Sequence, residues 1–143
     1  MYRDELLKFE GVWSGTERVS DEAGSFEATA RLVFTTVFDS LFLLCDYVQT
    51  ARDRPTTVAH GVFRRDEKTN ALTVTWFRSP AATATQQADA VADGDKLIFL
   101  ETVDGRTTRT TYTTAMDKLS IRTECAVADG EWKPLLDGTY RRR

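Results

Sequence analysis

Five side chains carry most of the chemistry this sequence offers: Tyr47, His60, Trp76, Arg78 and Tyr112. His60 is the only histidine, and histidine is the side chain whose ordinary proton affinity suits acid–base work near neutral pH. It alternates with Val58 and Val62, so the three share one face of a strand. That face is expected to point inward, where His60 would bind or protonate a ligand. The alternative is a half-buried histidine hydrogen-bonded to a neighbouring strand. Tyr47 shares a face with Cys45 and Gln49, and Trp76 with Val74 and Arg78. An inward Arg78 would be a buried cation in need of an anion, either Asp46, Glu101 or a ligand carboxylate. At a strand end its aliphatic stem would instead carry the charge out to water. Tyr112 lies in the Thr-rich run from Arg106 to Thr114, whose threonines read as strand formers on a solvated face.

Other chemistries lack their residues. One histidine makes no metal cage, and the neighbours Cys45 and Asp46 point to opposite faces of a strand, so no metal site is expected. There is no nucleophile elbow, P-loop or dinucleotide-binding fingerprint. Thr16-Glu17 and Asp39-Ser40 lack the second base that a triad needs. Cys45 and Cys125 both sit in apolar runs and read as buried thiols rather than a disulfide scaffold. The net charge of −3 gives no basic stripe for nucleic acid, and Arg141-Arg142-Arg143 reads as a solvated tail. No basic start followed by an apolar run suggests a signal peptide. No stretch approaches the ~18 apolar residues of a membrane span. A cytoplasmic protein with no cofactor is expected.

The elements that must position these residues are strands. Tyr2 to Glu10 can form one or two helical turns, capped by Asp4, with Leu6, Leu7 and Glu10 at helical spacing. Val12 to Val19 is the first strand. Phe26, Ala28, Ala30, Leu32 and Phe34 then alternate with polar residues, as in a half-buried antiparallel strand. Leu41 to Thr50, Thr56 to Arg64 and Ala71 to Ser79 follow, separated by the turns Arg52-Asp53-Arg54-Pro55 and Arg65 to Asn70. Pro80 to Ala92 has no clear period. Lys96 to Val103, Arg106 to Ala115, Leu119 to Val127 and Trp132 to Arg142 complete the chain, with turn signals at Asp93-Gly94-Asp95, Asp104-Gly105 and Asp129-Gly130. Nine or ten strands joined by hairpin-length turns predict an all-β, up-and-down antiparallel barrel, since closure removes the exposed edges of a long meander. The 143 residues make one domain, 1–143, with no linker or repeat.

Several short stretches resemble known barrels. They are Gly11-Val12-Trp13-Ser14-Gly15-Thr16-Glu17, the Asp46-Tyr47 strand, Ala59-His60-Gly61-Val62-Phe63 before Asp66, Trp76-Phe77-Arg78-Ser79, Gly94-Asp95-Lys96-Leu97, and Trp132-Lys133-Pro134 with Asp137-Gly138-Thr139-Tyr140-Arg141-Arg142. In order they resemble the lipocalin-like (calycin) barrels, and more closely the bacterial DUF1579 family of uncharacterised proteins. The resemblance implies a closed barrel with a central cavity. It implies that Trp13 plugs the closed end and that Arg141 or Arg142 stacks over it. Nitrobindins, barrels of the same general kind, hold haem through a histidine near the C-terminus. The corresponding stretch here, Leu135 to Tyr140, has none, so a nitrobindin-type haem site is the less favoured expectation.

Three readings follow. The first is a binding module for a small, mostly hydrophobic molecule, anchored by His60, Tyr47, Trp76, Arg78 and Tyr112. The second is an isomerase- or cyclase-type enzyme using acid–base groups in the same cavity. The third is a structural or homodimerising barrel whose interior is filled by its own side chains.

Overall fold

The structure, a computed structural model, describes residues 6–21, 23–69, 71–79, 86–93, 96–103, 105–127 and 130–143, with side chains 86–93 and 103 left undescribed. Among the described residues there are ten strands: β1 (Gly11–Asp21), β2 (Gly24–Val37), β3 (Phe42–Thr50), β4 (Thr57–Arg65), β5 (Leu72–Ser79), β6 (Gln86–Asp93), β7 (Lys96–Val103), β8 (Arg106–Ala115), β9 (Lys118–Ala126) and β10 (Trp132–Arg142). Each pairs antiparallel with its sequence neighbours, and β1 also pairs with β10, so the sheet closes into the expected up-and-down barrel. An eight-stranded barrel is just wide enough to be filled by side chains or to hold one small ligand. Ten strands leave more room.

Alternation sorts the side chains. Ala28, Ala30, Leu32 and Phe34 of β2 are buried, as the periodicity predicts. Leu72 and Val74 of β5 are buried, and Trp76 packs against the core beside them. Pro134 sits where β10 loses register with β9, the place in a sheet where a residue without an N–H does least harm. The resulting bulge lets both Leu135 and Leu136 face the lumen.

The N-terminal turn fills one end of the barrel. The Phe9 and Glu10 amides donate to the Leu6 and Leu7 carbonyls at 3.2 Å, three residues back, as in a tight 3₁₀-type turn. Leu6 and Phe9 are buried and Leu7 is exposed. The apolar side is therefore Leu6 with Phe9, not Leu6 with Leu7. Asp4, the expected cap, lies outside the described residues.

Trp13 is fully buried at this end. Its Nε1–H donates to the Phe9 carbonyl at 2.8 Å, which ties the turn to β1. Arg142, directly opposite on β10, stacks its guanidinium 4.2 Å from the indole centroid. The same guanidinium donates to the carbonyls of Lys8 (3.0 Å) and Glu10 and lies 3.4 Å from Asp117. Arg142 thus cross-links the turn, β1 and the β8–β9 connection. Arg141, one residue away, is exposed on the outer face.

Candidate functional site

Above the plug the lumen is packed by aromatic rings. Phe63 meets Phe34, Trp76, Phe99 and Tyr112 with centroids 5.6–6.2 Å apart, mostly edge to face. Phe9 reaches up to Tyr112 at 5.9 Å. Gly61 faces Trp76 on the next strand, and a Cβ there would sit 2.8 Å from the indole ring. The glycine is what lets the ring lie against the wall.

Beyond this layer the barrel is hollow. A cavity of about 520 Å³ is lined by Tyr47, Val74, Trp76, Phe99, Tyr112 and Leu136 on its apolar side and extends to Asp21, Arg106 and Lys133 at the opposite end from Trp13. A second, deeper lobe of about 90 Å³ shares Tyr47, Trp76, Arg78 and Tyr112 with it and ends at Glu17 and Tyr140. The interior is therefore filled at one end only, which corrects the filled-barrel expectation: the large apolar side chains collect around the plug. Thr108, Thr110 and Thr123 also line the cavity, so half of the Thr-rich strand faces inward rather than water. Thr110 and Thr123 hydroxyls pair across β8 and β9 at 3.1 Å, which satisfies them without water.

The floor is polar. Glu17 is 1% exposed. Its Oε1 accepts from the Tyr47 hydroxyl at 2.6 Å and from Gln49 Nε2 at 2.7 Å, and its Oε2 accepts from the Tyr140 hydroxyl. Gln49 also donates to the Tyr47 oxygen at 2.9 Å. Small neighbours make this arrangement fit. Glu17 faces Ala28 on one side and Gly138 on the other, and a Cβ on Gly138 would collide with the Tyr140 hydroxyl. Burial pushes the phenols of Tyr47 and Tyr140 well above their ordinary range, and the Glu17 charge adds to it. Burial raises Tyr112 in the same way. All three phenols stay protonated, and Tyr47 and Tyr140 donate to Glu17.

Tyr47, Trp76, Arg78 and Tyr112 thus come together around one cavity. Arg78 stands at its exposed part, 5.4 Å from the Trp76 centroid. Glu101 lines the same cavity; burial raises its carboxyl and the Arg78 charge opposes that rise. Of the two internal partners expected for Arg78, Glu101 shares its space and Asp46 does not.

His60 does not join them, which corrects the expected orientation of its strand. Ala59, Gly61 and Phe63 are the inward residues of β4; Val58 and His60 face out. The His60 side chain is 43% exposed and its Nδ1 pairs with Asp46 Oδ1 at 2.8 Å on the outer wall. The physical reason is space: Trp76 and the tyrosines occupy the lumen, so β4 must offer it Ala59 and Gly61, and the bulkier valines go outside. An iron held inside the barrel could not be ligated by this histidine. Among the described residues no three His, Cys, Asp or Glu side chains converge as metal ligands. Cys45 and Cys125 are free and buried, with burial pushing the Cys45 thiol up.

Sequence reasoning missed Glu17, Gln49 and Tyr140. The signal was present in the alternation. If Trp13 points inward, so must Glu17, four residues on. If Arg142 stacks on Trp13, Tyr140 points inward as well.

Fold and site together define a closed antiparallel barrel with a ligand-sized lumen. Solved structures share the shape. Rv2717c from M. tuberculosis is 15% identical to this chain, with 98% of this chain and 96% of that chain covered and a TM-score of 0.72. A de novo designed fluorescence-activating β-barrel is 14% identical over 98% of both chains, with a TM-score of 0.52. No family model matches the chain, and no curated protein matches it in sequence. No helix among the described residues is long and apolar enough to cross a membrane.

Proposed function

We propose that this protein binds a small, largely apolar molecule inside the barrel. The observation that carries the reading is the cavity of about 520 Å³, walled by Trp76, Phe99 and Tyr112 and ending on a polar floor. Small-molecule sites are apolar clefts of roughly 300–1,000 Å³ with a few fixed polar groups, and this lumen has that form. The shape shared with a designed fluorescence-activating barrel supports it. The lipocalin-like and DUF1579 resemblance, carried by the set of short stretches from Gly11–Glu17 to Asp137–Arg142, is in keeping with it. The outer wall supports a barrel surrounded by water: Arg18 and Glu27 pair there at 2.8 Å, and Arg31, Arg122, Asp137 and Arg141 are exposed, where a lipid-facing barrel would carry an apolar band.

The enzyme reading keeps one observation in its favour. Glu17 borders the deep lobe beside two protonated phenols, a base next to two donors. Three donors already take most of its acceptor positions, so binding is the reading the geometry supports best.

Nile red, a neutral apolar dye, tests the proposal. Its fluorescence is expected to rise and shift to the blue with the wild-type protein. Thr110→Trp, which puts an indole into the lumen, should weaken binding by tenfold or more, an effect of about 1.4 kcal/mol or greater. His60→Ala, on the outer wall, should leave binding within about twofold, because an exposed ion pair contributes at most about 1 kcal/mol and touches nothing inside. Equal binding by wild type and Thr110→Trp would place the dye outside the barrel.

A further inference from the structure

Glu17 is a buried carboxylate with no cation in direct contact among the described residues, although Arg78 borders the same lobe. Three neutral groups donate to it, and among the described residues it belongs to no ion pair. Burying a charge is expensive unless it is paired, and neutral donors offset only part of that cost. A carboxylate offers about four acceptor positions. Oε1 uses two and Oε2 one, which leaves one position on Oε2. Glu17 borders the deep lobe, so that position is within reach of whatever occupies the lobe.

The size of the lobe limits what can enter. At about 90 Å³ it holds the equivalent of roughly three water molecules, and it is smaller than the ~150 Å³ apolar cavity in which benzene binds. A ring does not fit beside Glu17, but a single small polar head does. The cavity of about 520 Å³ above it is where a ring system fits, against Trp76, Phe99 and Tyr112. Of the other charged groups, Arg78 borders both lobes, and Arg106 and Lys133 stand with Asp21 at the far end of the wider one. Arg78 shares its part of the cavity with Glu101, and Asp21 lies 3.5 Å from Arg54.

Resting on the lumen-binding reading, we infer that the barrel selects a primary or secondary amine borne on a flat apolar body: the protonated amine enters the deep lobe and donates to Glu17 Oε2, and the body fills the aromatic cavity. The amine supplies a fourth donor, at the open position on Oε2, and a positive charge in direct contact with the carboxylate. Charge-assisted hydrogen bonds of this kind are about twice as strong as neutral ones.

A matched series of probes tests this by Nile red displacement. The probes are naphthylmethylamine, methylnaphthalene, naphthoate, and naphthylmethyl-trimethylammonium, which keeps the charge but has no N–H and a head too large for the lobe. Naphthylmethylamine should bind about tenfold or more tighter than methylnaphthalene. The quaternary ion should bind no better than the hydrocarbon, and naphthoate should bind worst. In Glu17→Gln, which keeps the shape and removes the charge, the amine's advantage should shrink to about twofold or less. If Glu17→Gln does not fold, the comparison of the primary amine with the quaternary ion in the wild-type protein still decides. Equal affinity for those two, an advantage that survives Glu17→Gln, or tighter binding of naphthoate overturns the inference and leaves the lumen reading standing. If Nile red itself does not enter the lumen, the lumen reading fails and the inference fails with it.

Discussion

Trp13→Ala is expected to destabilise the protein by about 3–5 kcal/mol, as a large truncation at a fully buried site. The effect should reach the upper part of that range because the indole is more than filler. It accepts the stacked guanidinium of Arg142 and it holds the N-terminal turn through the Phe9 carbonyl. Removing it leaves Arg142 without its ring and the turn without its tether. Folded domains of this size are stable by about 5–15 kcal/mol in total. Thermal melting should therefore fall by roughly 10–20 °C. Below the new melting point Nile red should still bind, because the plug and the cavity are at opposite ends. A variant that melts within a degree or two of wild type would remove the plug from the account.

Alkali should unfold the protein steeply. Tyr47, Tyr112 and Tyr140 all have phenols raised above their ordinary value of about 10 by burial, two of them also by the Glu17 charge. The folded state keeps protons that the unfolded chain has shed. The stability these groups lend is therefore complete below about pH 10 and is lost as pH rises from there towards the folded values. Each contributes a loss that steepens to about 1.4 kcal/mol per pH unit once the unfolded phenol is ionised, so the three together remove roughly 4 kcal/mol between about pH 9 and pH 11. Urea melts between about pH 9 and pH 11 measure the slope, and the tyrosinate absorbance of these three phenols should appear together with unfolding rather than before it. Tyr112→Phe should reduce the slope by about a third. If the three phenols titrate near pH 10 in the folded protein, the closed polar floor is wrong.

Much of this fold was legible because strand alternation is a local property. Phe26 to Phe34 reads as one buried face from sequence alone, and so does Leu72-Val74-Trp76. The pairing of an N-terminal Trp13 with a C-terminal arginine rests on resemblance, and the two candidate arginines are separated by one residue of alternation. The orientation of His60 is not legible, for a physical reason. Both faces of β4 are apolar, and bulk favours the valines as the inner set, whereas a lumen crowded by Trp76 requires Ala59 and Gly61. The polar floor was the least legible part. A lone Glu in a strand ordinarily faces water. The groups that make Glu17 tolerable inside lie 30, 32 and 123 residues away, brought close only by barrel closure. The period from Trp13 to Glu17 points inward, but charge argues the other way, and the partners that settle the conflict are invisible along the chain.

The most direct measurement of lumen binding is native mass spectrometry of the protein purified from its own host, with Thr110→Trp prepared in parallel. The account predicts a wild-type species carrying one additional small molecule, released on gentle activation, and a variant that carries none. A wild-type protein and a variant with the same adduct, or a wild-type protein that remains bare and excludes Nile red, would contradict it.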